Sequence, residues 1–260
     1  MTAALLTDLY ELNMVASYLK RDMTAPGTFS LFVRELPPGW GFFVATGLEA
    51  CLDELEGLRF TEDDLEYLRR TLDYDEDTLR GLADLRFTGD VVAVPEGRVV
   101  YPTEPLLEVT APLPEAQLVE TILLNRVTYQ TAVASKAARC VLAAPDKDMV
   151  DFALRRVHGG EAGMGIARAT AIAGFTATSN VEAARRFGLT ASGTMAHSYI
   201  EAFESEEEAF RAFAQDFPDQ VVLLVDTYDT MRGVQKAIEV VRELPEVHLR
   251  AIRLDSGDLG

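Results

Sequence analysis

Apolar positions along this chain recur first at mixed spacings and then in a regular alternation of short runs. Leu5, Leu9, Leu12, Met14, Val15 and Leu19 follow three- and four-residue intervals, which predicts an amphipathic helix capped by Thr7 or an earlier Thr2, with Tyr10 partly on its polar side. Runs rich in Phe and Val near 28–34 and 41–45, split by Pro37, Pro38 and Gly39, give a strand, turn, strand signal. Helical spacing returns at Leu65, Leu68 and Leu72 behind a Thr61/Asp64 capping box, and the acids at 73–77 precede a further short helix as part of a solvated face. β-prone runs at 91–94, 98–101 and 106–109, broken by Pro95, Gly97, Pro102 and Pro105, predict a small antiparallel layer. Pro112 and Pro114 then introduce a long helical pattern reaching Ala143.

The texture changes at Met149. β-prone runs at 149–154, 174–178, 189–194, 221–225 and 249–254 alternate with helical segments, which predicts parallel βα units. Ser205 and Glu208 form a capping box for the helix before 221–225, with Phe210, Phe213 and Phe217 on or near its buried face. The organisation expected is an N-terminal α+β domain over 1–110, a connecting helix over 111–148 and parallel βα units over 149–260 that carry the active site. Chemistry in parallel α/β folds gathers beyond the carboxyl ends of the strands. Arg155, Ser179, Thr194, His197, Asp226 and Asp255 all fall at or just past such ends.

Composition narrows the partners. The 260 residues carry 24 basic and 42 acidic side chains, a formal charge of -18, which repels phosphate backbones and anionic membranes. Neither nucleic acid nor membrane is expected. An anionic substrate needs local cations, which the Arg155/Arg156 and Lys136/Arg139 pairs can supply, although solvation is the plainer reading of Lys136 and Arg139. Cys51 and Cys140 lack metal-type spacing and read as buried thiols. Asp8 and Glu11 inside the first apolar stretch argue against a signal peptide, no apolar run reaches membrane-spanning length, and a reducing cytoplasm is expected. Gly163-Met164-Gly165-Ile166-Ala167-Arg168 departs from a dinucleotide fingerprint at its sixth position, and no Walker A sequence occurs.

Of the three histidines, His158 and His248 take a structural reading, whereas His197 lies in Gly193-Thr194-Met195-Ala196-His197-Ser198-Tyr199-Ile200. That segment stands with Asp151-Phe152-Ala153-Leu154-Arg155-Arg156-Val157-His158-Gly159, Val225-Asp226-Thr227-Tyr228-Asp229-Thr230 and Arg253-Leu254-Asp255-Ser256-Gly257-Asp258. Together with Thr7-Asp8-Leu9-Tyr10-Glu11-Leu12-Asn13-Met14 and the segments 32–39 and 41–49, and in this order, it resembles the nicotinate phosphoribosyltransferase family along the whole chain. The resemblance implies an α/β type II phosphoribosyltransferase, with an N-terminal α+β domain plus an irregular, incomplete β/α barrel. It implies an enzyme of NAD salvage that forms nicotinate mononucleotide and pyrophosphate from nicotinate and phosphoribosyl pyrophosphate with coupled ATP hydrolysis. ATP and Mg²⁺ are then required, and a cytoplasmic homodimer is expected.

The same resemblance implies the roles of single residues. His197 would carry a phosphoryl group, a reaction open to neutral imidazole near physiological pH. Asp255, with Arg253, would serve ribose and phosphate; Phe152, Arg155, Tyr10 and Thr194 would line the nicotinate pocket, with Tyr10 reaching a neighbouring subunit. The metal ligands stay unassigned. Contact with metal or sugar stands beside helix capping for Asp226 and Asp229, as capping does for Asp258. A nicotinamide pocket should present a carboxylate to the amide, and Thr176-Ala177-Thr178-Ser179-Asn180 at the matching place has none. Quinolinate would call for more basic residues. Family members are considerably longer, and neither the later strands nor their glycine-rich phosphate loop occur before Gly260. A truncated or half-enzyme chain needing a complementary subunit is therefore the alternative, and the 260-residue chain alone is expected to be inactive.

Overall fold

The computed structural model describes residues 3–257. They fall into two compact units that divide between Ala191 and Ser192, and the boundaries expected near 110 and 148 lie inside the first. Thr2 and Asp258 lie outside the described residues.

The first unit opens with helix α1 (Leu9–Lys20), which turns Leu12, Val15 and Ala16 inward. Its N-cap is Asp8, with no side-chain capping bond, rather than Thr7. The Thr7 hydroxyl instead donates to the Glu11 carboxylate. Strand β1 (Pro26–Phe32) and strand β2 (Phe43–Val44) do not pair as the intervening turn residues suggested. Helices α2 (Leu48–Glu56), α3 (Glu62–Leu72) and α4 (Glu76–Asp84) follow; α3 keeps the reciprocal Thr61/Asp64 capping box, and Asp75 caps α4. Strands β3 (Asp90–Ala93), β4 (Val99–Val100) and β5 (Pro105–Pro112) complete the antiparallel layer. β5 lies between β1 and β3 with Phe29 and Val91 both opposite Val109, while β2 pairs β4. The local signal gave the strands, and the partner came from 80 residues away because burial of Val109 and Ala111 sets the register.

The long helical pattern is two helices, α5 (Leu113–Leu118) and α6 (Glu120–Ala143), meeting at Val119. Arg139 on α6 lays its guanidinium 5.2 Å from the Trp40 ring centre, while Lys136 is exposed. Three parallel strands close the unit in the order β6 (Val150–Asp151), β7 (Ala177–Thr178) and β8 (Thr190–Ala191). They are joined by α7 (Gly160–Ile172) and α8 (Val181–Phe187). The near-fingerprint segment is interior to α7, and Arg168 pairs there with Glu49 and Glu96. Leu12, Val15, Cys51, Leu68 and Ile122 share one core, where each large apolar side chain contributes about 1.5–3 kcal/mol. Burial pushes the Cys51 thiol up to about 12, so it is inert; Cys140 is only half-buried.

The second unit holds α9 (His197–Glu201), α10 (Glu206–Asp216), β9 (Val221–Leu224), α11 (Thr230–Glu243) and β10 (Leu249–Arg253), with β9 and β10 parallel. Ser205 Oγ accepts from the Glu208 N–H, one half of the expected box. Phe210 is fully buried, whereas Phe217 is exposed at the end of α10 with its ring tilted against that of Phe213. β9 is apolar on both faces and packs with Ala237 and Val240 of α11. Gly233 permits this approach: a Cβ there would stand 2.1 Å from the Val225 carbonyl oxygen. Gly233→Ala is expected to destabilise this unit by about 3 kcal/mol, because backbone rather than a movable side chain is in the way. Chemical denaturation checks it; a loss under about 0.5 kcal/mol would show that α11 can slide away from β9.

Among the described residues no helix is long and apolar enough to cross a membrane.

Candidate functional site

In the second unit three loops are tied to one another by hydrogen bonds. Thr194 Oγ1 donates to the Val222 carbonyl at 2.5 Å, fixing the loop before α9 to β9. Arg253, at the end of β10, donates through Nη1 to the Met195 carbonyl at 3.0 Å and through Nη2 to the Asp255 carboxylate. His197, the first residue of α9, has its Nδ1 3.2 Å from Thr227 Oγ1 in the loop after β9. Asp226 completes the set. Its Oδ2 accepts from the Asp255 N–H at 2.6 Å, the Ser256 N–H at 2.8 Å and Ser256 Oγ at 2.9 Å. Thr194, His197, Arg253 and Asp255, each singled out from the sequence, thus belong to one bonded cluster.

Electrostatics sharpen the role of Asp226. Partial burial pushes its carboxyl up, but donors from Asp255 and Ser256 more than offset this, and the group is held below the usual carboxylate range. Its Oδ1 is buried and has no hydrogen-bond partner. A buried ionised oxygen left without a donor suits a divalent cation that keeps waters and substrate phosphate oxygens in its remaining positions. Among the described residues no group of three or more His, Cys, Asp and Glu stands ready to hold a metal, so a cation here would take part of its shell from a ligand. Asp229 is different: its Oδ1 accepts from the Arg232 N–H and caps α11, so the capping reading holds for it. The Thr194 hydroxyl hydrogen is already committed to Val222, so that side chain offers a substrate its oxygen lone pairs.

In the first unit, Phe152 and Arg155 follow the end of β6, with Arg155 in a single 3₁₀ turn (Leu154–Arg156), and both are exposed. The turn is anchored beneath. Asp151, 4% exposed, accepts the Ala153 N–H at 2.9 Å on Oδ1 and the Thr178 hydroxyl at 2.8 Å on Oδ2. Ser179 N–H donates to the Asp151 carbonyl at 2.7 Å. Tyr10, 49% exposed on α1, donates to Glu120 at 3.1 Å and stands 3.2 Å from Glu11. Loss of water around the phenol, with both carboxylates facing it, pushes Tyr10 up to about 12, so it is a donor at any physiological pH. Glu11 beside it is fully buried; burial raises its pKa against donors from Thr7, Thr121 and Tyr10. His158 and His248 are both exposed rather than packed, and His248 joins the fold through its backbone, donating to Pro218.

Sequence reasoning missed Thr227, Ser256 and Asp151. Thr227 and Ser256 sit inside segments already singled out, and position just past a strand end was their only signal.

Two family models match the chain. The nicotinate phosphoribosyltransferase N-terminal domain covers residues 5–128, and the nicotinate phosphoribosyltransferase family covers residues 148–259. A nicotinate phosphoribosyltransferase of Mycobacterium tuberculosis is 49% identical over 98% of this chain and 55% of its own length. That of Bacillus subtilis is 45% identical over 97% and 52%. The chain therefore spans about half the length of the curated relatives it matches. Human nicotinic acid phosphoribosyltransferase superposes with a TM-score of 0.89 at 32% identity, over 97% of this chain and 61% of that one. A nicotinate-nucleotide pyrophosphorylase from Pyrococcus furiosus gives 0.79 at 26% identity, over 98% and 58%.

Proposed function

The chain belongs to the nicotinate phosphoribosyltransferase family and has its type II α/β fold, and on that premise we propose that the whole protein forms nicotinate mononucleotide and pyrophosphate from nicotinate and phosphoribosyl pyrophosphate, with ATP hydrolysis coupled to the transfer. The observation that carries this reading is the bonded cluster of the second unit, in which one histidine, one arginine and two carboxylates are held together by the ends of β9 and β10. Ribosyl transfer develops cationic character on the sugar and releases a polyanion, so it needs carboxylate and guanidinium groups already oriented.

His197 accepts the γ-phosphoryl group of ATP, an N–P bond replacing the P–O bond to ADP, while Thr227 fixes the ring. Arg253 and Asp255 bind the phosphate and ribose of the donor. Asp226 Oδ1 would be the protein ligand of Mg²⁺, which when bound offsets the charge of the pyrophosphate. Asp226 also holds the 255–256 turn in place through its other oxygen, independently of any cation. In the first unit Phe152 offers a flat apolar face and Arg155 a charge-assisted bond for the nicotinate carboxylate. Thr194 is a further substrate contact. The relatives at 45% and 49% identity carry the nicotinate name, and the 176–180 segment has no carboxylate for an amide, so nicotinamide is not the favoured acceptor.

Calorimetry on the whole protein tests this. Nicotinate should bind far more tightly than nicotinamide, and Arg155→Ala should weaken nicotinate by about 1.5–3 kcal/mol, the value of a hydrogen bond to a charged group. Equal affinity for the two ligands would overturn the assignment. For Tyr10 we propose a contact across a homodimer. Mixed dimers of Tyr10→Ala and His197→Asn chains should then regain part of the activity that each homodimer lacks, and verified mixed dimers without any recovery would sink the shared site.

A further inference from the structure

We propose that Asp151, with Thr178, is a positioning residue for the acceptor substrate, holding the Phe152–Arg155 turn in the one conformation that meets a planar aromatic carboxylate. This rests on the reading of Phe152 and Arg155 given above and adds the residues through which they act.

Asp151 ends β6 and is all but inaccessible, and among the described residues no Lys or Arg pairs with it. A buried carboxylate without a cation is costly and persists where its hydrogen bonds are used. Both oxygens are used here, and for different things. Oδ1 takes the Ala153 N–H, which bends the chain immediately after the strand in an Asx turn, so Phe152 lies within the ring that this bond closes. Oδ2 takes the Thr178 hydroxyl, which ties that turn to the end of the neighbouring strand β7. Thr178 Oγ1 in turn accepts the Asn180 N–H at 3.1 Å, and Asn180 caps α8 through the Ala183 N–H. A fixed series of bonds therefore runs from the start of α8 to the base of the turn.

An Asn at 151 could accept only one of the two donors. With its oxygen on the Ala153 N–H, its amide would face Thr178 with a donor, and the Thr178 hydroxyl hydrogen would lose the acceptor it has in Asp151. The far side of the turn is fixed separately. Leu154 packs where α7 has Gly163, since a Cβ there would lie 2.5 Å from Leu154 Cδ1 and 3.5 Å from Val157 Cγ2. The turn is thus held at one end by packing and at the other by Asp151, with Arg155 between them. A misplacement of about 1 Å at such a support is enough to cost a large factor in productive binding.

Thr178→Val, which keeps the shape and removes the hydroxyl, and Thr178→Ser, which keeps the hydroxyl, are the informative pair, with Asp151→Asn as the third variant. In the whole enzyme, Thr178→Val and Asp151→Asn should each raise KM for nicotinate about tenfold. Neither KM for phosphoribosyl pyrophosphate nor kcat should move by more than about twofold, and Thr178→Ser should stay near wild type. The double variant should be no worse than the more severe single one, because both break the same bond. Amide hydrogen exchange at residues 152–158, read without any ligand, should be faster in Thr178→Val and unchanged in Thr178→Ser. Unchanged exchange in Thr178→Val overturns the positioning role whatever the substrate proves to be. Faster exchange with an unaltered nicotinate KM overturns the link to the acceptor. A wild-type enzyme that does not use nicotinate, with exchange still faster in Thr178→Val, would instead defeat the functional reading on which the link depends.

Discussion

His197→Asn is expected to abolish transfer of label from the γ-phosphate of ATP to the protein, and with it the stimulation of nucleotide synthesis by ATP, while leaving a slow ATP-independent transfer. Asn lacks a nitrogen able to form the N–P bond, yet it can still bond Thr227 and so disturb the loop little. The other ties, Thr194 to Val222 and Arg253 to Met195, do not pass through the imidazole and survive the change. Ribosyl transfer relies on orientation and charge rather than on this nucleophile, which is why a residue of activity remains. The label in the wild-type protein should be lost in acid, as a phosphoramidate is. The other two histidines are the natural competitors because both are exposed. Label persisting in the variant, or found in wild type only on His158 or His248, would place the phosphorylation elsewhere.

The ease with which His197 could be found contrasts with what surrounds it. The β9–α11–β10 unit was legible because an all-apolar run of four residues, a helix with its buried stripe and a second β-prone run follow within 33 positions. The pairing of β1 with β5 was not, since strand signals are local and partner choice follows from which apolar faces can be buried together. Glu11 shows the same limit. Its neighbours Thr7 and Tyr10 donate to it, but the bonds that close over its carboxylate come from the Thr121 backbone and hydroxyl 110 residues away, which local spacing does not show. Arg168 likewise looked like a failed glycine motif and is an ion-pair partner of Glu49 and Glu96. At the candidate site the residue types were visible and the bonds were not. Asp226 could be noticed as a carboxylate past a strand end, but its work is done on backbone N–H groups, which carry no sequence signature.

Asp226 is where charge and geometry can be separated by experiment. Asp226→Ala removes the acceptor of three donors from the 255–256 turn and should lower stability by about 2 kcal/mol near neutral pH. The sign of its pH dependence follows from the lowered carboxyl pKa. A group whose folded value lies below its unfolded one stabilises the fold fully above the unfolded value, about 3.9 for Asp, and loses that contribution as pH falls through the folded value. The stability gap between wild type and Asp226→Ala should therefore be constant from about pH 7 to about pH 5 and narrow below about pH 4. Asp226→Asn keeps one oxygen for the turn but puts an uncharged amide where the orphaned oxygen was. It should retain most of the stability and yet lose about a hundredfold in turnover, the scale of removing a charge aimed at a developing one. Denaturation across that pH range, with turnover measured on both variants, distinguishes the outcomes. A stability gap that does not narrow in acid would refute the hydrogen-bonding role, and wild-type turnover in Asp226→Asn would show that the orphaned oxygen meets no charge during the reaction.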